Sequence, residues 1–372
     1  MSFKQRGIWQ YQSLLPSFDE QHQFTLGEGS TPLVHSQSIG ESLGLQHLYF
    51  KLEILNPSGS YKDRFAAGVV TELRQQSVPF CIATSSGNTG AALAAYCAAS
   101  GIKCFMVVTD GAPAGKLEQM RVYGAETLMV RDFGLDMDVT AGVMEGLRQL
   151  CEQAGTRVQI SAYQFSEKAM AGVQTIAYEI ADQLKPPPAH VFSPAGGGGL
   201  TLALGKGFSI YKEKYPQFER PKLHCVQPEG NNTIAGSLRS GGLEAIAVTA
   251  SETRISGLQV PNIIDGTAVV EQCRELGGTG YLVSDEAVFH YQEQLAKKEG
   301  IFCEPAGAVA LAGLAEAVKN KEVSSWEPVV CVVTGHGFKD PKSTSQLAQQ
   351  SYSDIFDQPS SVLQYLGSII NK

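Results

Sequence analysis

Asn56-Pro57-Ser58-Gly59-Ser60-Tyr61-Lys62-Asp63-Arg64 is the stretch on which the chain turns. Just before it, Leu48-Tyr49-Phe50-Lys51-Leu52-Glu53-Ile54 alternates as a strand does. Just after it, Ala66, Val69, Val70 and Leu73 recur at i, i+3, i+4 and i+7, one face of a helix. Asn-Pro and Ser-Gly form turns, so Lys62 is expected on a tight strand-to-helix bend with its amine aimed into a cleft. A lysine that attacks carbonyl groups must be partly desolvated, so that free amine is available. A lone lysine in a loop is ordinarily just solvated; two further motifs change that reading.

The surrounding composition narrows the field. The chain has 372 residues, 43% hydrophobic, 18% charged and 39 of them glycine, as in a globular α/β protein rich in tight turns. A net charge of −8, with no basic run, argues against a nucleic-acid or membrane-surface partner. Met1 to Arg6 lead into no long apolar run, so neither a secretory signal nor a membrane span is expected. Eight cysteines are scattered without a C-x-x-C pair; they read as reduced thiols of a cytoplasmic protein, and no metal site is expected.

Outward from Lys62 the chain keeps an α/β rhythm. Residues 80–84, 103–108 and 127–130 read as short strands, separated by helices at 91–99 and 116–123 and followed by one at 138–152. A second series begins near Gln159-Ile160-Ser161, then a helix from about Gly172 to Gln183, strands at 190–193, 223–227 and 329–333, and an apolar helix at 362–370. Short strands alternating with helices predict right-handed βαβ units and parallel sheets. Residues 66–155 are expected to form a small α/β domain, with 1–65 and 156–372 forming a large one.

Gly196-Gly197-Gly198-Gly199, between a strand and a helix, is the second motif. Without Cβ atoms the backbone can approach a phosphate, and helix N-terminal amides point at it. A dinucleotide fingerprint fails on spacing: G-x-G-x-x-G puts Thr201 or Leu202 at the third glycine. No Gly-Lys-Ser/Thr follows, which excludes a Walker loop. A single small phosphate is the expected guest. Ser85-Ser86-Gly87-Asn88-Thr89-Gly90 is the third motif; it opens another helix, suiting an anion such as a carboxylate, with the Asn88 amide free for a ring oxygen.

A nucleophilic lysine, a glycine cup and an Asn-bearing anion loop together suggest pyridoxal phosphate. These motifs, with Thr334-Gly335-His336-Gly337-Phe338-Lys339-Asp340, resemble those of fold-type II pyridoxal-phosphate enzymes over most of residues 8–341. Within that group Leu26 to Leu33, Asn56 to Arg64 and Thr334 to Asp340 are most similar to threonine synthases. The resemblance implies two α/β domains with the cofactor in the cleft between them, and a homodimer. It implies that Lys62 carries the cofactor as a Schiff base and moves the Cα proton. Asn88 would bond the ring hydroxyl oxygen, Gly196, Gly197, Gly198 and Gly199 the cofactor phosphate, and Thr334 would face the pyridine nitrogen. Ser85, Ser86 and Thr89 would hold the carboxylate of a small amino-acid substrate. Elimination of phosphate from O-phosphohomoserine, with hydration to threonine, would be the reaction.

Threonine synthases usually carry Asn-Pro-x-Arg-x-Glu-Gly, whose arginine binds the substrate phosphate. The corresponding run here is Phe165 to Gly172; Ala169 takes the arginine's place, and the adjacent Lys168 is the candidate to supply a charge, without a bidentate fork. Four glycines, and Ser86, are more similar to serine and threonine dehydratases and racemases. The alternative expectation is therefore β-elimination, β-replacement or racemisation of a small amino acid. Glu304-Pro305 is expected to start a helix near the cofactor, and His336, Lys339 and Asp340 to shape or tie down their loop.

Overall fold

The computed structural model describes residues 7–110, 114–134, 136–349 and 355–370. Strand β1 (Leu33–His35) leads through α1 (Ile39–Ser42) to β2 (Leu48–Leu52), and α2 (Lys62–Gln75) follows. Then come β3 (Phe80–Ala83), α3 (Asn88–Ser100), β4 (Lys103–Thr109), α4 (Ala114–Val122), β5 (Glu126–Val130) and α5 (Met137–Gln153). After α6 (Tyr163–Gln183) the order is β6 (His190–Pro194), α7 (Gly199–Lys214), β7 (Lys222–Pro228), α8 (Ala235–Arg239) and α9 (Gly266–Glu275). The chain closes with β8 (Gly280–Val283), α10 (Asp285–Glu299), α11 (Pro305–Lys319), β9 (Val329–Val333), α12 (Pro341–Ala348) and α13 (Pro359–Ile370).

These strands make two sheets, one of order β1-β2-β9-β6-β7-β8 and one of order β3-β4-β5. The smaller is wholly parallel, as expected; the larger is mixed, because β1 runs antiparallel along β2 while every other pair is parallel. All five residues of β6 and of β9 are buried, as parallel strands covered by helices on both faces must be. Where the second series begins, Gln159 makes a single parallel bridge to Ala83 at the edge of the small sheet. The helix expected from Gly172 starts earlier, at Tyr163, and is kinked at Ser166 (φ −140°, ψ 51°). The apolar run near the C-terminus is helical, but α13 buries none of its residues. Among the described residues no helix is long and apolar enough to cross a membrane.

Strand order places the chemistry. β2, β9 and β6 are neighbours, and their carboxyl ends lead respectively to Lys62, Thr334 and Gly196. Ligands of open parallel sheets sit beyond those ends. Behind them, the pleat of β2 sends Leu48, Phe50 and Leu52 into one apolar core and Lys51 into the opposite layer, with no exposure. Lys51 Nζ there donates to Glu179 Oε2 on α6 (2.6 Å), to Thr31 O (2.7 Å) and to Gln183 Oε1 (2.9 Å).

Candidate active site

Lys62 is the first residue of α2, and the turn before it is tied down from within. Asp63 accepts from the Ser58 amide at 2.6 Å and from the Ser58 hydroxyl, and burial lifts its carboxyl to about 7. The Tyr61 amide donates to Thr334 O at 3.2 Å, which fastens the turn to the end of β9. Two residues after Lys62, Arg64 is fully buried in α2: Nε and Nη2 reach the Glu53 carboxylate (2.8 and 2.7 Å), and Nη1 also meets Thr175 Oγ1 (2.8 Å). The helix that presents Lys62 is thus bolted at its first turn.

The amine of Lys62 donates to Ser161 Oγ at 2.6 Å, and Ser161 Oγ lies 2.9 Å from Thr89 Oγ1. The result is a row of polar hydrogens from lysine through two hydroxyls to the anion loop. Ser161 is not singled out by the sequence, which marks it only as part of the start of the second α/β series.

Lys62, Asn88, Thr89 and Thr334 line one cavity of about 470 Å³. Ser85 and Ser86, just before α3, line it as well, and so do Gly196 to Gly199. Lys168 is not brought there: its ammonium lies 4.4 Å from the centre of the Phe18 ring. Ala169 is fully buried at the crossing of α6 and α2, where a Cβ on Gly68 would meet the Ala169 Cα at 2.9 Å. Neither residue of that pair offers a charge to the cavity.

The glycine wall has a physical reason. Gly198 sits at φ +99°, and a Cβ on it would come within 2.7 Å of Val269 Cγ2. The strip is therefore pressed against side chains behind it, while α7 begins at Gly199 and Leu202 is the first of its amides to bond back, to Gly198 O. The amides preceding Leu202 are the orphan donors of a helix N-terminus, a ready seat for phosphate. Close by, Asp265 accepts from the amides of Tyr163 (2.8 Å) and Gln164 (3.1 Å) and so caps α6; burial raises its pKa.

On the lining of the same cavity Asn88 Nδ2 donates to Glu304 Oε1 at 2.7 Å, and the Glu304 amide donates to Gly335 O at 2.9 Å. A Cβ on Gly335 would fall 2.0 Å from that same Glu304 oxygen. A side chain at position 335 would push aside the Glu304 carboxylate that Asn88 bonds. Glu304 is indeed the residue before Pro305, the start of α11. A further cavity of about 630 Å³ adjoins across this pair and is bordered by His336 and Lys339. Lys339 Nζ donates to Gln119 Oε1 at 2.9 Å, and burial lowers its pKa.

A lysine amine, orphan amides with no Cβ, a side-chain amide and a hydroxyl around one cavity match the groups of pyridoxal phosphate. The residues present fit it.

The comparisons agree. The family model described as pyridoxal-phosphate dependent enzyme matches residues 24–335. The chain is similar to the threonine synthase of Methanocaldococcus jannaschii, 34% identical over 349 residues, covering 92% of this chain and 83% of that one. It is also similar to the threonine synthase of Bacillus sp. (strain ULM1), 33% identical over 353 residues, 94% and 95% of the two chains. In fold it resembles maize serine racemase (TM-score 0.71, 24% identity, 86% of this chain and 92% of that one). A processed threonine deaminase isoform from Solanum lycopersicum gives a TM-score of 0.69 at 24% identity, over 86% and 84%.

Proposed function

The chain belongs to the pyridoxal-phosphate dependent enzyme family, and from that premise we propose that it is a lyase of the threonine-synthase type, releasing phosphate from O-phosphohomoserine and forming threonine. The fold is α/β of fold type II, and the enzyme is pyridoxal-phosphate dependent. The observation that carries the proposal is the placement of Lys62 Nζ 2.6 Å from Ser161 Oγ, in a cavity walled by the glycine strip.

When bound, pyridoxal phosphate supplies an electrophilic carbonyl and an electron-withdrawing ring that acidify the substrate Cα–H. In our reading Lys62 would hold that carbonyl, and its amine would move the Cα proton. Ser161, within hydrogen-bond reach of the amine, passes protons between it and Thr89. Gly196 to Gly199 bind the phosphate of the cofactor. Asn88, oriented by Glu304, bonds the ring oxygen, and Thr334 meets the ring nitrogen with a neutral hydroxyl. Ser85, Ser86 and Thr89 seat the substrate carboxylate. The enzyme would work as a cytoplasmic homodimer.

A second reading rests on a specific observation. With Ala169 buried and Lys168 lying on Phe18, the run that carries the phosphate-binding arginine in threonine synthases brings no cation to the cavity. A substrate with a plain hydroxyl needs none, and the reaction would then be β-elimination from serine or threonine. Assay of the purified enzyme decides. Phosphate and threonine formed together from O-phosphohomoserine uphold the proposal; a 2-oxoacid formed from threonine or serine, without phosphate release from the ester, overturns it in favour of the second reading.

A further inference from the structure

Strands β3 and β4 of the small sheet are paired so that Cys81 and Cys104 are direct Cα partners. Cys97, on α3, completes a group whose three Sγ atoms all lie within 4.8 Å of one another. All three residues are buried, in the apolar core that also holds Val78, Leu93, Ile102 and Met106. Nothing in the catalytic proposal uses them.

Three sulfurs without a nitrogen or oxygen ligand select a thiophilic guest. Zinc prefers a fourth ligand, and the described residues add none to this group. Charge decides among the rest. Three thiolates around Cu(I) would leave two negative charges in an apolar core, and around a divalent ion one; buried unpaired charge is costly. A trivalent centre leaves none. We propose that Cys81, Cys97 and Cys104 form a binding site for trivalent arsenic, taken up as arsenous acid. Three S–H protons pass to the three hydroxyls of As(OH)3, three As–S bonds replace three As–O bonds, and three waters leave. Arsenic remains trivalent, and no oxidant or reductant is consumed.

The test uses the holoenzyme incubated with arsenite, long enough for buried thiols to open, and then desalted. One arsenic per chain is expected by elemental analysis, with three fewer titratable thiols and full release by a small dithiol. Cys97→Ala and Cys104→Ala are each expected to retain no arsenic, while Cys151→Ala, outside the group, still takes up one. A neutral methanethiolating reagent reports whether the trio opens in the native protein. Arsenic that stays unbound would overturn the proposal, whether that reagent modifies the trio or leaves it closed. So would uptake that consumes two thiols, or that persists in either cluster variant. Because binding is read as arsenic and thiol counts, the outcome is independent of which substrate the enzyme turns over.

Discussion

Arg64 holds Glu179 with both terminal nitrogens, Nη1 to Oε1 at 2.7 Å and Nη2 to Oε2 at 2.9 Å, in a part of the protein where neither side chain meets solvent. The same carboxylate accepts from Lys51 and from the amides of Ser30 (2.7 Å) and Thr31 (3.2 Å). One acidic side chain of α6 therefore joins the first turn of α2, the β2 strand and the segment before β1. The two cations hold Glu179 well below the usual carboxylate range against the opposing effect of burial, at about 2.

Removing one partner of a buried pair leaves the other charge uncompensated, at a cost of about 3–5 kcal/mol. Arg64→Met is expected to lose that much in urea unfolding. It should also retain cofactor poorly after gel filtration, since Lys62 sits in the same helical turn. A variant as stable as the parent would show that the network is dispensable.

Ser161→Ala removes the hydroxyl that meets the Lys62 amine while leaving the glycine strip intact. A positioned proton carrier contributes about 10²-fold or more to rate. We expect kcat to fall by about that factor, with cofactor absorbance still at one equivalent per chain. Unaltered kcat, with an unaltered pH profile, would reduce Ser161 to a packing role.

Lys168→Ala tests where the substrate is bound. Lys168 rests on the Phe18 ring, a contact worth about 0.5–1 kcal/mol at an exposed site. KM for the true substrate should stay unchanged, whichever amino acid that proves to be. A rise of tenfold or more would mean that the side chain swings to the cavity during turnover.

Far from the cavity, His190 and His224 stack with Nδ1 and Nε2 2.8 Å apart at the opposite end of the large sheet. Burial holds His224 down to about 3, with the neighbouring His190 and Lys222 adding to the effect. The unfolded chain would protonate this ring near its ordinary value of 6.5. Between those two values the unfolded state binds more protons, so stability falls as pH falls through that window, by about 1.4 kcal/mol per pH unit for this one ring. Below about 3 the folded form protonates too and the loss levels off. His224→Phe should flatten the fall when unfolding is measured across that range; an unchanged slope would refute the assignment.

Much of this was legible in the sequence because it resides in backbone demands. Gly198, at φ +99°, and Gly59, at φ +90°, take backbone conformations that favour glycine where a strand gives way to a helix. What stayed hidden depends on distant pairing. Ser161 meets Lys62 across 99 positions, and Glu304 meets Asn88 across 216. Periodicity does not report such contacts. Lys168 misled for a related reason: neighbouring residues on a helix face different ways, so one beside Ala169 in sequence can point to Phe18 while Ala169 faces Gly68. The antiparallel β1 was equally invisible, because three residues carry no mark of direction.

Glycines after β6 and a threonine after β9 line the cavity, while of the stretch from Ser161 to Gly172 only Ser161 and Ala162 reach it. The remainder of that stretch is spent on joining α6 to its neighbours, with Ala169 against Gly68 and Gly172 close on the Arg64 carbonyl. Substitutions there are expected to act on how α6 and α2 seat together, and only through that seating on the cavity.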